Sequence, residues 1–254
     1  MPTLFVCVVA NNRQPLAVTC MKSIILFCCI LLLPTTVRAE CLEGDCQNGH
    51  GTFKYFGGMQ YTGDFKDGKP DGQGTKTYED LTTYVGELKE GKFEGKGKKT
   101  FADGSVYDGD FKSGRFHGKG KYVAADGAVY EGTFEYGSFS GDGVYTTTSG
   151  ARYEGKFRND MFNGPGTMTY ADGSVYKGNW ENNHRSGQGT ATLADGSKYE
   201  GNWWQGKFDG RGQLTLASGE KKEGLWKAGK ISKEEKVDVE SSKQEAVGGG
   251  WIVK

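Results

Sequence analysis

The chain has 254 residues, including 42 Gly, 13 Tyr and 14 Phe, but only 35% hydrophobic residues and a formal net charge of zero. Arg13, Lys22 and Arg38 are the three basic residues before Glu40, so a chain starting there has 29 basic against 32 acidic side chains. This balance excludes a dedicated nucleic-acid-binding protein, which would have a strong basic excess. Many glycines and aromatics with few aliphatic residues predict short strands joined by tight turns.

The N-terminal segment has the pattern of a secretory signal peptide. Met21-Lys22-Ser23 precedes the apolar run Ile24–Leu33, and Val37-Arg38-Ala39 places small residues before a cleavage point after Ala39. The alternative is a membrane anchor, but ten apolar residues are fewer than the roughly 20 that span a bilayer. We therefore predict a signal peptide over residues 1–39, with Met21 as the true start. The mature protein would be periplasmic if bacterial, and otherwise secreted or lumenal.

Two cysteines, Cys41 and Cys46, follow the predicted cleavage point, and the other four lie before it. An even pair in an oxidising compartment predicts a disulfide. A metal-binding pair is the alternative, but no His or further Cys stands at the spacing of a zinc site. We assign residues 40–60 to an N-terminal cap that contains a half repeat and this disulfide.

A repeat of 23 residues occupies the segment from 61 to 230. Each unit begins with Tyr-x-Gly, and we call the Tyr position 0. The seven Tyr/Gly pairs are Tyr61/Gly63, Tyr84/Gly86, Tyr107/Gly109, Tyr130/Gly132, Tyr153/Gly155, Tyr176/Gly178 and Tyr199/Gly201. The eighth unit keeps Gly224 but has Lys222 in place of Tyr. Position 4 is Phe, Leu or Trp, and positions 11 and 13 are Gly in seven units.

The spacing within the repeat predicts two strands and two turns per unit. Positions 0, 2 and 4 share one face of a first strand, and a Thr column at position 16 marks a second strand over roughly positions 12 to 17. Asp-Gly at positions 19 and 20 predicts a type I′ turn. Position 7, which is Gly, Asp or Asn, predicts a backbone with positive φ. The fold class is therefore all-β: an elongated antiparallel hairpin meander of about sixteen strands, without a separate globular core.

The pattern Y-x-G-x-[FW]-x-x-G-x-x-x-G-x-G at a period of 23 resembles the MORN repeat, over about residues 47 to 230. The resemblance implies arrays of β-hairpins, often dimeric, that act as scaffolds and membrane-contact modules. MORN repeats also occur beside lipid kinase and methyltransferase domains, but this chain has no room for either.

Two adjacent columns are candidate binding residues. Position 8 is basic in five units, and position 9 beside it is Phe in five units. The residues are Lys69, Lys92, Arg115, Lys207 and Lys230 at position 8, and Phe93, Phe116, Phe139, Phe162 and Phe208 at position 9. Such rows could contact anionic headgroups or an acidic partner. In the alternative interpretation, the lysines keep the loops soluble and the Phe rings pack on the next hairpin.

No set of residues indicates catalysis, a metal or a cofactor. His50, His117 and His184 occupy different repeat positions and form no column. The segment 231–254 is charged and is predicted to be disordered. We therefore predict a non-enzymatic scaffold or binding protein that presents its repeat surface to a protein or envelope partner. The alternative is a peripheral binder of anionic lipid, and a homodimer is possible in either case.

Overall fold

The structure is a computed structural model that describes residues 38–234, so most of the predicted signal peptide and residues 235–254 lie outside it. The described residues form one 18-stranded sheet in which each strand pairs antiparallel with the next along the chain. The strands are β1 (Glu40–Gly44), β2 (His50–Lys54), β3 (Gln60–Lys66), β4 (Lys69–Thr77), β5 (Thr83–Lys89), β6 (Lys92–Thr100), β7 (Val106–Lys112), β8 (Arg115–Val123), β9 (Val129–Glu135), β10 (Ser138–Thr146), β11 (Arg152–Arg158), β12 (Met161–Thr169), β13 (Val175–Glu181), β14 (His184–Thr192), β15 (Lys198–Trp204), β16 (Lys207–Thr215), β17 (Lys221–Lys227) and β18 (Lys230–Glu234). The predicted all-β hairpin meander is confirmed.

The second strand of each repeat is longer than predicted. It spans positions 8 to 16 rather than 12 to 17, because a bulge lets pairing continue past the glycines. In the first repeat, Gly63 pairs with Gly74 and Phe65 pairs with Pro70, so that residues 71–73 face Asp64 alone. The bulge recurs in the later repeats, and it explains why the second strand has nine residues against seven in the first.

The tightest turn of each repeat lies at positions 6 and 7, and both residues have positive φ. In the first repeat these are Asp67 (φ 50°) and Gly68 (φ 72°), the backbone of a type I′ turn. The prediction of positive φ at position 7 is confirmed, including at the non-glycine residues Asp160 (φ 65°) and Asn183 (φ 68°).

The predicted type I′ turn at Asp-Gly is wrong. At Asp103-Gly104 only the glycine has positive φ, and the Gly104 amide donates to the Phe101 carbonyl at 3.0 Å. The Asp103 carboxylate accepts a hydrogen bond from the Ser105 amide at 2.9 Å, so Asp103 forms an Asx turn. The loop is thus a type I turn followed by a left-handed glycine, the usual three-residue hairpin connection.

The tyrosine at position 0 of each repeat, which we call the row tyrosine, packs against the two glycines at positions 2 and 13 of the same repeat. All seven have no exposed surface. A Cβ added to Gly120 would lie 2.6 Å from the Tyr107 hydroxyl oxygen and 2.7 Å from its ring, and Gly109 on the paired strand is equally covered. The Tyr107 hydroxyl donates to the Asp110 carbonyl at 2.7 Å. The glycines at positions 2 and 13 are therefore required for space, since any side chain there would displace the ring.

The core is a row of rings that passes from repeat to repeat. Tyr107 stacks on Phe116 of its own repeat at 3.8 Å and meets Phe134 of the next repeat edge-on at 4.9 Å. Equivalent contacts recur along the array, with Trp180, Trp203 and Trp226 at position 4 in the later repeats. Because each ring touches those of adjacent repeats, stability derives from nearest-neighbour contacts.

The two ends of the array differ from its interior. At the N-terminal end, Cys41 and Cys46 form a disulfide, and the Cys46 sulfur lies over Gly51. At the C-terminal end, β18 continues to Glu234, so the predicted tail boundary at 231 is too early. Ile231 occupies position 9 and packs against the core, which accounts for the extra strand residues.

Candidate functional site

One face of the sheet presents an apolar layer that is only partly buried. We define the aromatic face as the face formed by positions 0, 4, 9, 15 and 17. Its side chains at positions 0 and 4 are buried, except Lys222 in the eighth unit. Most residues at positions 9, 15 and 17 pack on that core from outside and retain exposed surface, whereas Pro70, Phe93 and Ala191 are buried. The outer apolar residues of repeats 3 to 7 include Phe116, Tyr122, Phe139, Tyr145, Phe162, Met168, Tyr170, Leu193, Phe208 and Leu214.

The predicted Phe row belongs to this aromatic face. Phe93 is buried, and the other four rings are partly buried. Each stacks on the row tyrosine of its own repeat at 3.7–3.8 Å. The stacking holds the rings flat against the core, so they do not project from the loop tips. This arrangement matches the structural alternative given for them above, with the stacking partner in the same hairpin.

The predicted basic row lies at the strand ends, next to the turns at positions 6 and 7, and is exposed: Lys69, Lys92, Arg115 and Lys207, with Lys230 continuing it. The register places position 5 directly opposite position 8. In repeats 1 to 3 both positions are basic, and the pairs are Lys66–Lys69, Lys89–Lys92 and Lys112–Arg115. Like charges directly opposed destabilise a hairpin. Sequence reasoning missed the position 5 cations because the hairpin register was needed to find them.

Three cations lie on the aromatic face in repeats 1 to 7, in addition to Lys222 in the eighth unit, and none of the three was singled out from the sequence. Lys76 and Lys99 occupy position 15, where the later repeats have Tyr122, Tyr145 and Met168. The Lys99 Nζ lies 4.5 Å from the Phe101 ring centroid.

The third cation is Arg185, which replaces Phe at position 9 of repeat 6. Its guanidinium lies 4.3 Å from the Trp203 ring centroid and donates to the Gly206 carbonyl at 2.7 Å. This hydrogen bond ties the guanidinium to the turn of the next repeat.

The opposite face of the sheet is mainly polar, although Val85, Trp204 and Leu225 are exposed there. Position 1 is exposed in repeats 1 to 7 and opposes position 14 of both neighbouring strands, giving ladders such as Lys98–Asp108–Lys121–Glu131. Shallow depressions of about 440 and 520 Å³ lie above the paired glycines and have mixed charge. Within residues 38–234, no group of three or more His, Cys, Asp or Glu is placed to hold a metal ion.

The glycines at position 2, which the sequence marks as structural repeat residues, differ in whether they border these two depressions. Gly109, Gly132 and Gly201 line them, whereas Gly86, Gly155 and Gly178 do not. The second group is still covered by the tyrosine row: an added Cβ would lie 2.7 Å from the row-tyrosine hydroxyl oxygen at Gly86, 2.6 Å at Gly155 and 2.5 Å at Gly178. These three glycines therefore belong to the packing of the tyrosine row, and they form no part of the depressions on the polar face.

The fold and its surfaces define a class: a single-layer array of hairpin repeats that offers one aromatic face and, over residues 38–234, no enclosed cavity among its larger depressions. The MORN repeat profile matches residues 61–83, 84–106, 107–129, 130–152, 153–175, 176–198 and 199–221, more than half of the chain. The chain belongs to the MORN repeat family, whose repeats mediate protein or membrane binding.

Several solved structures are similar to this chain at low identity and low TM-score. The TCP10 domain of Danio rerio CPAP in complex with a STIL peptide has a TM-score of 0.43 and 15% identity, covering 74% of this chain and 84% of that chain. The SAS-4 TCP domain of Drosophila melanogaster, in complex with a proline-rich motif of Ana2, has a TM-score of 0.35 and 10% identity, covering 84% and 99%. Similarity at this level carries no information about a partner of this chain. No curated protein sequence matches the chain.

Among residues 38–234, there is no helix long and apolar enough to cross a membrane.

Proposed function

We propose that the protein is an exported scaffold that binds a protein partner on its aromatic face. The observation that supports the proposal is the outer layer at positions 9, 15 and 17, which has partly exposed apolar side chains in each of repeats 3 to 7 and is interrupted by Arg185 in repeat 6. Contiguous exposed apolar surface on a soluble protein is typical of an interaction site. Over residues 38–234, the polar face has exposed charges at position 1 and only scattered exposed apolar residues, namely Val85, Trp204 and Leu225.

Site-specific photocrosslinking tests which face is used. Benzoylphenylalanine at Tyr145 or Met168 samples the aromatic face, and the same residue at Glu154 or Lys177 samples the polar face of neighbouring strands. In cells that produce the protein, we expect a discrete protein adduct from the first pair and none from the second. Adducts of equal yield from both faces, or from the polar face alone, would contradict the proposal.

Export is a separate part of the proposal, and it is supported by the Met21–Ala39 pattern and by the Cys41–Cys46 disulfide. A fusion of residues 1–44 to alkaline phosphatase, produced in a bacterial host, should be active because that enzyme needs an oxidising compartment. Deletion of Ile24–Leu33 is the matched control. Activity that survives the deletion, or is absent from both fusions, argues against export.

The alternative function is contact with anionic lipid headgroups, and the doubled basic pairs of repeats 1 to 3 favour it. The predicted Phe partners are stacked on the core, so this contact would rest on charge alone and weaken steeply with salt. Flotation with phosphatidylglycerol vesicles and with phosphatidylcholine vesicles tests it. Lys89→Gln/Lys92→Gln should reduce flotation with the anionic vesicles if the basic pairs at positions 5 and 8 bind lipid, and should leave flotation unchanged if they do not.

A further inference from the structure

Over residues 61–234, the columns that form the aromatic face contain cationic side chains and no acidic one. From Tyr61 to Glu234, no residue at positions 0, 4, 9, 15 or 17 is Asp or Glu. The same columns contain Lys76, Lys99 and Arg185, together with Lys222 at the C-terminal end. The acidic residues of the repeats occupy other columns, such as positions 1 and 10. A partner that covers this face therefore meets positive charge without any carboxylate to balance it.

Lys76 and Lys99 are held among aromatic rings. Lys76 lies between Tyr61 and Tyr84 in the pairing register, and Lys99 lies between Tyr84 and Tyr107. Their position 15 side chains therefore extend over the tyrosine row. The Lys76 Nζ is 5.8–5.9 Å from the centroids of Tyr55, Tyr78 and Phe93, as expected for a weak cation–π contact.

Neither lysine has a carboxylate partner. Other lysines of the described chain form ion pairs, including Lys96 with Asp110 at 2.6 Å and Lys156 with Asp142 at 2.8 Å. Within residues 38–234, no ion pair involves Lys76 or Lys99. Burial lowers the pKa of both ammonium groups, and the charge of Asp80 opposes that shift at Lys99. Both cations are thus partly desolvated, Lys76 without compensation and Lys99 with compensation only from the charge of Asp80, which favours an anion supplied from outside.

The two lysines mark one end of the aromatic face. They lie on β4 and β6, two strand spacings apart, or about 10 Å. Beyond them, position 15 becomes apolar from Tyr122 onward. The third cation, Arg185, donates to the Gly206 carbonyl, so it is already tied to its own hairpin. The face therefore combines a cationic segment over repeats 1 and 2 with an apolar segment over repeats 3 to 7.

We infer that the aromatic face binds a partner segment that carries both apolar side chains and carboxylates, with the carboxylates placed on Lys76 and Lys99. This inference rests on the proposed function, because it specifies the chemistry of the partner that the aromatic face binds. The apolar part of the segment supplies affinity over repeats 3 to 7. The carboxylates fix its orientation along the array, since charge complementarity sets register and specificity.

The test is selection from a phage library of random twelve-residue peptides on the purified chain from residue 40. We expect the selected peptides to be enriched in Asp or Glu together with Leu or aromatic residues. Lys76→Met/Lys99→Met removes both charges and keeps unbranched apolar stems, as Met168 shows that position 15 accepts methionine. This variant should retain apolar peptides and lose the acidic enrichment.

Direct binding gives the magnitude. A fluorescein-labelled peptide from the wild-type selection should bind the double variant about five- to tenfold more weakly, the effect of two partly exposed ion pairs. Lys98→Met/Lys121→Met removes the same charges from the polar face and should leave the affinity unchanged. Met168→Lys should add acidic selectivity in repeat 5.

The outcomes separate this inference from the proposed function. Selection of apolar peptides without acidic residues, or acidic selection that survives Lys76→Met/Lys99→Met, overturns the inference and leaves a face that binds proteins. Failure to select any peptide that competes with crosslinking at Tyr145 overturns the proposed function as well. If no peptide is selected and phosphatidylglycerol vesicles bind in a manner lost in the double variant, the face is a lipid site and the inference is wrong.

Discussion

The two ends of the array are closed in different ways. At the N-terminal end, the half repeat has Arg38 at the tyrosine position, and the buried sulfur of Cys46 covers Gly51 instead. At the C-terminal end, Lys222 takes the tyrosine position, and the three atoms nearest to a Cβ added at Gly224 are backbone atoms of Lys233 and Glu234. The N-terminal end is closed by a covalent bond, whereas the C-terminal end relies on the packing of Trp226 on Tyr199 and Phe208 and of Ile231 against the core.

This difference shows what the interior repeats depend on. A tyrosine over two glycines closes each interior hairpin, and the next repeat covers that tyrosine in turn. An end repeat has a neighbour on one side only, so it must find another cover or be the first part to open. The following predictions separate the interior from each end, beginning with the largest expected effect.

Alkaline pH should unfold the interior. Burial raises the pKa of Tyr61, Tyr130, Tyr153, Tyr176 and Tyr199 from 10.0 to about 12. Because the folded-state pKa is above the unfolded value, the tyrosines contribute their full stability below pH 10 and lose it as the pH rises from 10 to 12. We expect phenolate absorbance at 295 nm and loss of the far-ultraviolet circular dichroism signal to rise together over that window.

Lysines also lose their charge in this window, so a matched variant is needed. Tyr153→Phe lacks one phenol and should be less stable than wild type at neutral pH, because it loses the hydrogen bond to the Lys156 carbonyl at 3.0 Å. The stability gap should shrink or reverse above pH 11. Full phenolate formation with an intact sheet signal would show that the row is not what holds the interior.

A methyl group added at a glycine that contacts a row tyrosine should destabilise the interior of the array. In Gly120→Ala, the new Cβ would lie within 3 Å of the Tyr107 ring and hydroxyl. Ring or backbone must shift, and we expect a loss of about 3 kcal/mol in the free energy of unfolding, measured by urea denaturation.

Gly114→Asn is the control for Gly120→Ala. A Cβ on Gly114 meets no atom within 4 Å, and Asn183 has the same left-handed turn conformation at the equivalent position. This variant should differ from wild type by less than about 1 kcal/mol. Equal losses of unfolding free energy in the two variants would mean that backbone strain, and not contact with the tyrosine ring, is the reason that glycine is required at these positions.

The sequence predicts most of this fold because the repeat is strict. The period, the Tyr and Gly columns and the positive φ at position 7 follow from residue types at fixed spacing. The bulge cannot be predicted in this way. It arises because Asp64 lies opposite three residues of the paired strand, and the period of a repeat does not reveal the register between strands. The same limit hid the cations at position 5 and on the aromatic face. A lysine column is visible in a sequence, but its neighbours across the strands are not.

Removal of the disulfide should make the N-terminal end resemble the C-terminal end. Its loop of six residues corresponds to about 2 kcal/mol of chain entropy. Under dithiothreitol, or in Cys41→Ser/Cys46→Ser, amide exchange should accelerate in β1 and β2, while exchange in β17 and β18 stays at its wild-type rate. Uniform acceleration along the array would indicate that the bond stabilises the whole sheet cooperatively and not one end.

The smallest expected change in stability comes from restoring a tyrosine ring at the C-terminal end of the array. Lys222→Tyr places tyrosine over Gly224, where it can pack beside Trp226 as Tyr199 packs beside Trp203 at 5.2 Å. The gain should be about 1 kcal/mol, since the ring has no following repeat to cover it. Amide exchange in β17 and β18 should slow, and β1 should be unaffected. Lys221→Tyr, on the preceding residue, points to the other face of the strand and serves as the control. If both substitutions slow exchange equally, added β propensity explains the gain, and the tyrosine position at this end has no special role.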